Sequence, residues 1–380
     1  MSNDENQSIE RLSIDDILPY GDMIRPLIAS SLLTRTDLKE LLFKRGIYTG
    51  SSEKSITIPI LSSTLLTPNE FEILKLKQTT KENTPKFVSR ELIYDSDKSL
   101  FDVVKEDLIS IRDIVGNNAT NYKIIKSTPF TPINQDKNNL ELEYIIERTD
   151  PTKDFFNSTS RYEGRINLQL DKDQNKLQVL LESTAPETKS LNELLYKETV
   201  LNLERKNYIK KDKEQKITFG EFNNEERIKF LLSLQGIDRL KIFEFDEVTS
   251  FEVSFDEKVS LPQEIDWMDK KVKNMILKGE QLHDTEILKN SKFHSCLLVS
   301  SVVANYSFSS RDSKGECTLE YGFFSRKRIP YPNTEFEFKI TKLVVDSNHT
   351  TKSEYKVKRF LLSLFNKFKN EKYNEIKGEI

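Results

Sequence analysis

Apolar positions recur at helical spacing over the first eighty residues and at strand spacing further on. Ile17 to Ser31 and Thr34 to Arg45 each place their apolar residues on one helical face. Leu32-Leu33-Thr34-Arg35-Thr36-Asp37-Leu38 is echoed by Leu65-Leu66-Thr67-Pro68-Asn69-Glu70-Phe71, and both read as helix starts. In each, a threonine can accept a backbone N–H as the N-cap, and the acid three residues on suits the positive helix end. Pro68 falls at the first helical position, where its missing N–H costs nothing. The polar, aperiodic run Gln78 to Pro85 reads as a linker.

Beyond the linker, Ser99 to Val115 fits one helical face, ended by Gly116 and Asn117. From Asn139 the period becomes two. Arg165 to Leu170 and Leu177 to Leu181 flank a polar turn and predict a hairpin. Helices are expected at Glu187 to Tyr208, Asn223 to Leu234, Asp266 to Lys278 and Ser353 to about Tyr373. Strands are expected at Ile217 to Phe222, Leu240 to Phe255, Ser295 to Phe308, Cys317 to Phe324 and Glu335 to Val345. The expected class is α+β: a small helical module over 1–80, then a larger mixed region with antiparallel strands over 86–380, either whole or divided into 86–260 and 261–380.

Composition narrows the setting. The chain has 36% hydrophobic and 31% charged residues, enough apolar material to build a core. Two cysteines in 380 residues make no disulfide framework, which predicts a reducing, cytoplasmic compartment. The acidic start lacks the basic and apolar segments of a signal peptide, and no apolar run is long enough to span a bilayer. With 58 basic against 61 acidic residues, partners have to be argued from local charge.

The strongest local pattern is Leu33-Thr34-Arg35-Thr36-Asp37-Leu38-Lys39-Glu40-Leu41-Leu42-Phe43-Lys44-Arg45-Gly46-Ile47, followed by Gly50-Ser51-Ser52-Glu53-Lys54. It resembles a SAP module, a helix, extended loop and helix that binds DNA. The resemblance implies a basic pair, Lys44 and Arg45, a glycine turn at Gly46, and Lys54 opening a second helix. A glycine there permits a left-handed helix end, and basic side chains around it can reach phosphates without base contacts. Ile56, Thr57 and Ile58 are β-branched and Pro59 is expected to break a helix continuing through it, so the second helix departs from the pattern.

Other chemistry is sparse. Arg205 to Lys216 and the C-terminal lysines and arginine, Lys352, Lys356, Lys358, Arg359, Lys367, Lys369 and Lys372, could extend a phosphate-binding track or simply solubilise a surface. Asp312, Glu337 and Lys339 present a layout in which two carboxylates hold Mg²⁺ and a lysine steadies water, as in a metal-dependent nuclease. The same Glu-Phe-Glu-Phe-Lys alternation is also that of an ordinary half-solvated strand. The three histidines show no metal spacing, and the 11 glycines form no phosphate loop, dinucleotide fingerprint or nucleophile elbow.

Ile17 to Arg25, Leu38 to Gly46, Ser183 to Thr188 and Asn224 to Ile228, taken in order, resemble the B component of a GAPS-type two-gene bacterial antiphage system. That resemblance implies a cytoplasmic defence subunit acting in an oligomeric complex beside a nuclease-bearing partner, with this chain contributing either duplex-DNA engagement or assembly. It assigns no catalytic residue, metal or cofactor. The leading expectation is therefore a non-catalytic DNA-binding or DNA-sensing subunit using Lys39, Lys44, Arg45 and Lys54. Its rivals are an assembly protein that docks through Leu38, Leu41 and Leu42, and the nuclease of Asp312, Glu337 and Lys339.

Overall fold

The computed structural model describes residues 18, 20–30, 33–82, 84–105, 111, 122–149, 159–236, 242–263, 274–325, 327, 329–346, 349–350 and 353–378. They form two compact units: 1–83 with 116–126 and 145–163, and 84–115 with 127–144 and 164–380.

Among the described residues the first unit holds four α-helices: α1 (Arg25–Ala29), α2 (Arg35–Lys44), α3 (Lys54–Ser62) and α4 (Pro68–Glu82). Both expected caps form. The Thr34 hydroxyl accepts the Asp37 N–H at 3.2 Å while Asp37 accepts the Thr34 N–H at 2.8 Å; Thr67 and Glu70 do the same at 3.3 and 2.7 Å. Leu27, Ile28, Leu38, Leu42, Leu61 and Leu74 close a small core. Contrary to the sequence expectation, α3 runs through Pro59 to Ser62. Pro59 lies just past the first turn and removes one hydrogen bond, to the Ser55 carbonyl. Burial of Thr57 and Leu61 on the same helix outweighs that loss.

In the same unit, Glu147, at the end of β4 (Asp136–Thr149), takes Lys123 of β2 (Tyr122–Ser127) at 2.7 Å and Arg161 at 3.0 Å.

The second unit is built on a sheet whose order is β4-β5-β6-β1-β12-β11-β10-β8-β9. Its strands are β1 (Lys86–Tyr94), β3 (Thr131–Ile133), β5 (Thr159–Asp171), β6 (Lys176–Ser183), β7 (Ile209–Lys216), β8 (Phe243–Phe255), β9 (Asn274–Lys278), β10 (Leu297–Ser310), β11 (Ser313–Gly322) and β12 (Glu337–Val345). The helices are α5 (Leu100–Lys105), α6 (Pro186–Arg205), α7 (Asn224–Ser233), the short α8 (Glu286–Lys289) and α9 (Ser291–His294), and α10 (Glu354–Lys377). The class is α+β with antiparallel pairing, as expected. The sheet takes strands from both 86–260 and 261–380.

β1 is where the sheet branches. One edge pairs with β6 along its length, and the other meets β12 at Phe87↔Phe338 and β7 from Arg90 to Tyr94. On β5, Gly164 lies under the Tyr144 ring, where a Cβ would stand 2.2 Å from the phenol oxygen. That close approach lets the Tyr144 hydroxyl reach the Thr188 carbonyl and Asn192 Oδ1 on α6, each at 2.8 Å.

Two expectations change, and a third is described only in part. The expected strand Ile217 to Phe222 is a single bridge, Thr218↔Glu335, followed by a 3-10 turn at Phe219–Glu221, because Glu221 caps back to the Thr218 N–H at 3.0 Å. The expected helix ending at Lys278 closes instead as strand β9, paired with β8; its first part lies outside the described residues. The expected helix over Ser99 to Val115 is described as α5 and residue 111, the rest also falling outside.

The C-terminal helix α10 is a core element. Val357, Leu361, Phe365, Phe368 and Tyr373 bury one face against β11, β12 and α7. Lys369 is buried with them, 1% exposed, its ammonium donating to Ser89 Oγ and lying 5.9 and 5.7 Å from the Phe336 and Phe338 ring centroids. Burial depresses this lysine to about 7, against the opposing pull of Glu91 and Glu335. The folded chain then binds fewer protons than the unfolded chain between about pH 7 and 10.5, so stability rises with pH across that window. The expected slope is up to about 1.4 kcal/mol per pH unit. Urea denaturation at pH 6.5, 8 and 9.5 should show the rise, and Lys369→Met should flatten it; an equal slope in the variant would assign the titration to another group.

Candidate nucleic-acid interface

The basic residues singled out on the helical module have different roles. Gly46 follows α2 with φ +72°, the left-handed turn expected of it. That turn brings Arg45 back across the module. Its Nε donates to Glu70 Oε1 at 2.7 Å, Nη2 to Glu70 Oε2 at 2.5 Å and to the Leu65 carbonyl at 2.6 Å, and Nη1 to Thr64 Oγ1 at 2.9 Å. The fork is bidentate, and the two side chains are only 16% and 18% exposed. This arginine holds the Glu70 carboxyl down to about 2. Arg45 thus ties the end of α2 to the start of α4, and its donors are turned inward.

Lys54 has a similar internal role. Its ammonium donates to the Ser30 carbonyl at 2.6 Å, just past the C-terminus of α1, where unsatisfied carbonyls favour a cation. Arg35 pairs with Glu53, and Lys77 reaches Asp37 at 3.0 Å and Glu40 at 3.2 Å.

Lys39 and Lys44 remain on the outer face of α2. Lys39 is exposed and has no ion pair among the described residues. Lys44 is 64% exposed, 3.5 Å from Glu40, whose carboxyl Lys77 and then Lys44 hold below its ordinary range. Between them in sequence stands Phe43, 58% exposed, edge-to-face with the 77% exposed Tyr48 at 5.2 Å. Sequence reasoning missed this aromatic pair, although Phe43 falls on the polar side of the α2 pattern. Leu38, Leu41 and Leu42, expected as an assembly face, are instead the core of the module, at 0%, 6% and 0% exposure.

In the second unit several cations of the expected basic track are buried or paired. On α10, Lys369 is buried, Arg359 forks onto Glu141 and Lys372 pairs with Glu375; Lys352 lies outside the described residues. On β7, Lys210 meets Asp95 and Lys216 meets Glu214. Helical spacing put the α10 cations in one list, but packing of its apolar face turns them to different sides.

The nuclease layout is not assembled either. Glu337 pairs with Gly322 at one end of β11, whereas Asp312 sits in the turn before Ser313 at the other. Ten residues of strand, about 33 Å, separate the two positions. Glu337 is 8% exposed and pairs with Lys189, and Lys339 is held by Glu320 at 2.8 Å. Among the described residues, no group of three His, Cys, Asp or Glu side chains could hold a metal ion. His294 is buried against the Leu288 carbonyl at 2.8 Å, and both cysteines are buried thiols.

The architecture is thus that of an α+β protein with a capped four-helix N-terminal module bearing an exposed aromatic and lysine face. Residues 22–84, which comprise that module, match the family described as GAPS4b protein N-terminal domain. The match supports a component of a GAPS4b-type antiphage defence system. No curated protein matches the chain. Among the described residues, no helix is long and apolar enough to cross a membrane.

Proposed function

We propose that this chain is the non-catalytic, DNA-engaging subunit of a cytoplasmic bacterial antiphage complex, with the nuclease activity on a partner chain. The observation that carries the reading is the outer face of α2, where Lys39 and Lys44 present cations beside Phe43 and Tyr48, on the module that matches the GAPS4b family. Lysines reach phosphates as mobile point charges and need no fixed fork. Arg45 and Lys54 serve this function by holding the face in shape. Residues 22–84 carry nine basic and seven acidic side chains, so binding is modest and salt-sensitive.

The test is duplex-DNA affinity against salt for the wild type and for Lys39→Glu/Lys44→Glu. Each phosphate contact contributes about 0.9 to the log-log slope, so the double variant should bind more weakly and flatten the slope by about two units. An unchanged slope removes α2 from the DNA interface.

A second reading rests on the exposed rings, since aromatic anchors also concentrate binding energy between proteins. Loss of partner association in Phe43→Ser/Tyr48→Ser, with DNA affinity intact, would select an assembly role for the same face.

A further inference from the structure

The second unit contains a cleft of about 540 Å³ that the proposed DNA contact does not use. Small-molecule sites occupy about 300–1,000 Å³. Its floor is the polar face of β4 and β5, opposite the apolar face that carries Leu140, Leu142, Ile166 and Leu168, and its roof is the start of α10.

Both arginines framing the cleft are already paired with carboxylates. Arg359 on α10 forks onto Glu141, and Arg165 lies 2.6 Å from Glu143 with its guanidinium 4.9 Å from the Tyr355 ring centroid. Between these pairs stand carboxamides with unused capacity. Asn167 Nδ2 donates to Asn139 Oδ1 at 2.9 Å and to the Leu140 carbonyl at 3.0 Å, which leaves Asn167 Oδ1 and Asn139 Nδ2 for a ligand. Half-buried Gln169, next along the same face of β5, has no side-chain hydrogen bond among the described residues.

A carboxamide offers a donor and an acceptor side by side, the complement of a nucleobase edge. Phe87, Leu180 and Phe360 add apolar wall for the faces of a flat ring. On the α10 side Lys356 is exposed, with no ion pair among the described residues, and is placed to meet an anion. We propose that this cleft binds a mononucleotide, its base edge read by Gln169 and the Asn139–Asn167 pair and its phosphate met by Lys356.

The test is isothermal titration of the full chain with AMP, GMP, CMP and UMP, each beside its nucleoside, and with ribose 5-phosphate. At least one nucleotide should bind with a micromolar dissociation constant, more tightly than ribose 5-phosphate. Gln169→Ala should weaken it tenfold or more. Lys356→Ala should weaken the nucleotide severalfold and leave its nucleoside unchanged. Neither side chain has a polar partner among the described residues, so both variants should melt like the wild type and bind duplex DNA as it does. The proposal is overturned if no nucleotide binds at millimolar concentration, if ribose 5-phosphate binds equally well, or if Gln169→Ala changes nothing.

Discussion

Replacing Arg90 by methionine should destabilise the second unit by about 3–5 kcal/mol in chemical denaturation, the usual cost of removing one partner from a buried ion network. Arg90 is 2% exposed, at the branch point of the sheet. Its Nε and Nη2 fork onto Glu335 at 2.9 and 2.7 Å, Nη2 also reaches Glu193 at 2.5 Å, and the guanidinium lies 4.4 Å from the Tyr196 ring centroid. Methionine fills much of the volume but leaves two carboxylates facing a site built for a cation. Arg90→Lys should recover little, because an ammonium cannot make the planar fork or stack on the ring in the same way. Arg90→Met/Glu335→Leu should recover part of the loss by removing one stranded charge. A loss below about 1 kcal/mol in the single variant would show that water reaches these carboxylates freely.

Arg45→Ala should unravel the helical module at a cost of about 2–4 kcal/mol, the sum of a broken bidentate pair and two lost carbonyl and hydroxyl bonds. The module has a small core, so this is a large share of its stability. Amide hydrogen exchange over α2, α3 and α4 should accelerate while β1 to β12 stay protected. Lys44→Ala, at an exposed position, should stay within about 0.5 kcal/mol of the wild type.

The acid response supplies a second readout for the same pair. Glu70 has a depressed carboxyl in the folded chain, so its contribution is present above the ordinary carboxylate range and is lost as pH falls toward about 2. The Arg45 variant should show a smaller loss, because only the Thr67 hydrogen bonds then hold the Glu70 carboxyl down. If instead Arg45→Ala leaves exchange unchanged and weakens DNA binding, the arginine leaves Glu70 to contact phosphate. This contrast makes Lys39 and Lys44 the clean probes of the DNA face, since a charge reversal at Arg45 would change shape and charge together.

Local chemistry was legible wherever the deciding contacts lie within a few residues. The threonine and acid pairs at Thr34 and Thr67, the left-handed turn at Gly46, and the β5 to β6 hairpin over Asp171 to Asn175 all follow from short-range geometry. The β1 strand was missed because it is buried on both faces, so its residues show no alternation. The exposed Phe43 and Tyr48 pair was missed because a single outward aromatic in an amphipathic pattern reads as noise until its neighbour is known.

The sequence by itself determined the α+β class, the placement of most helices and strands, and the identity of the residues that cap them, because hydrophobic period and capping act over one or two turns. Only the tertiary structure decided what the charges do. Arg45 meets Glu70 twenty-five residues away, Lys369 is folded under two phenylalanines, and Asp312 and Glu337 end up beside opposite ends of β11. A charge acts through its surroundings, and for these residues the surroundings come from distant parts of the chain, which no local pattern encodes.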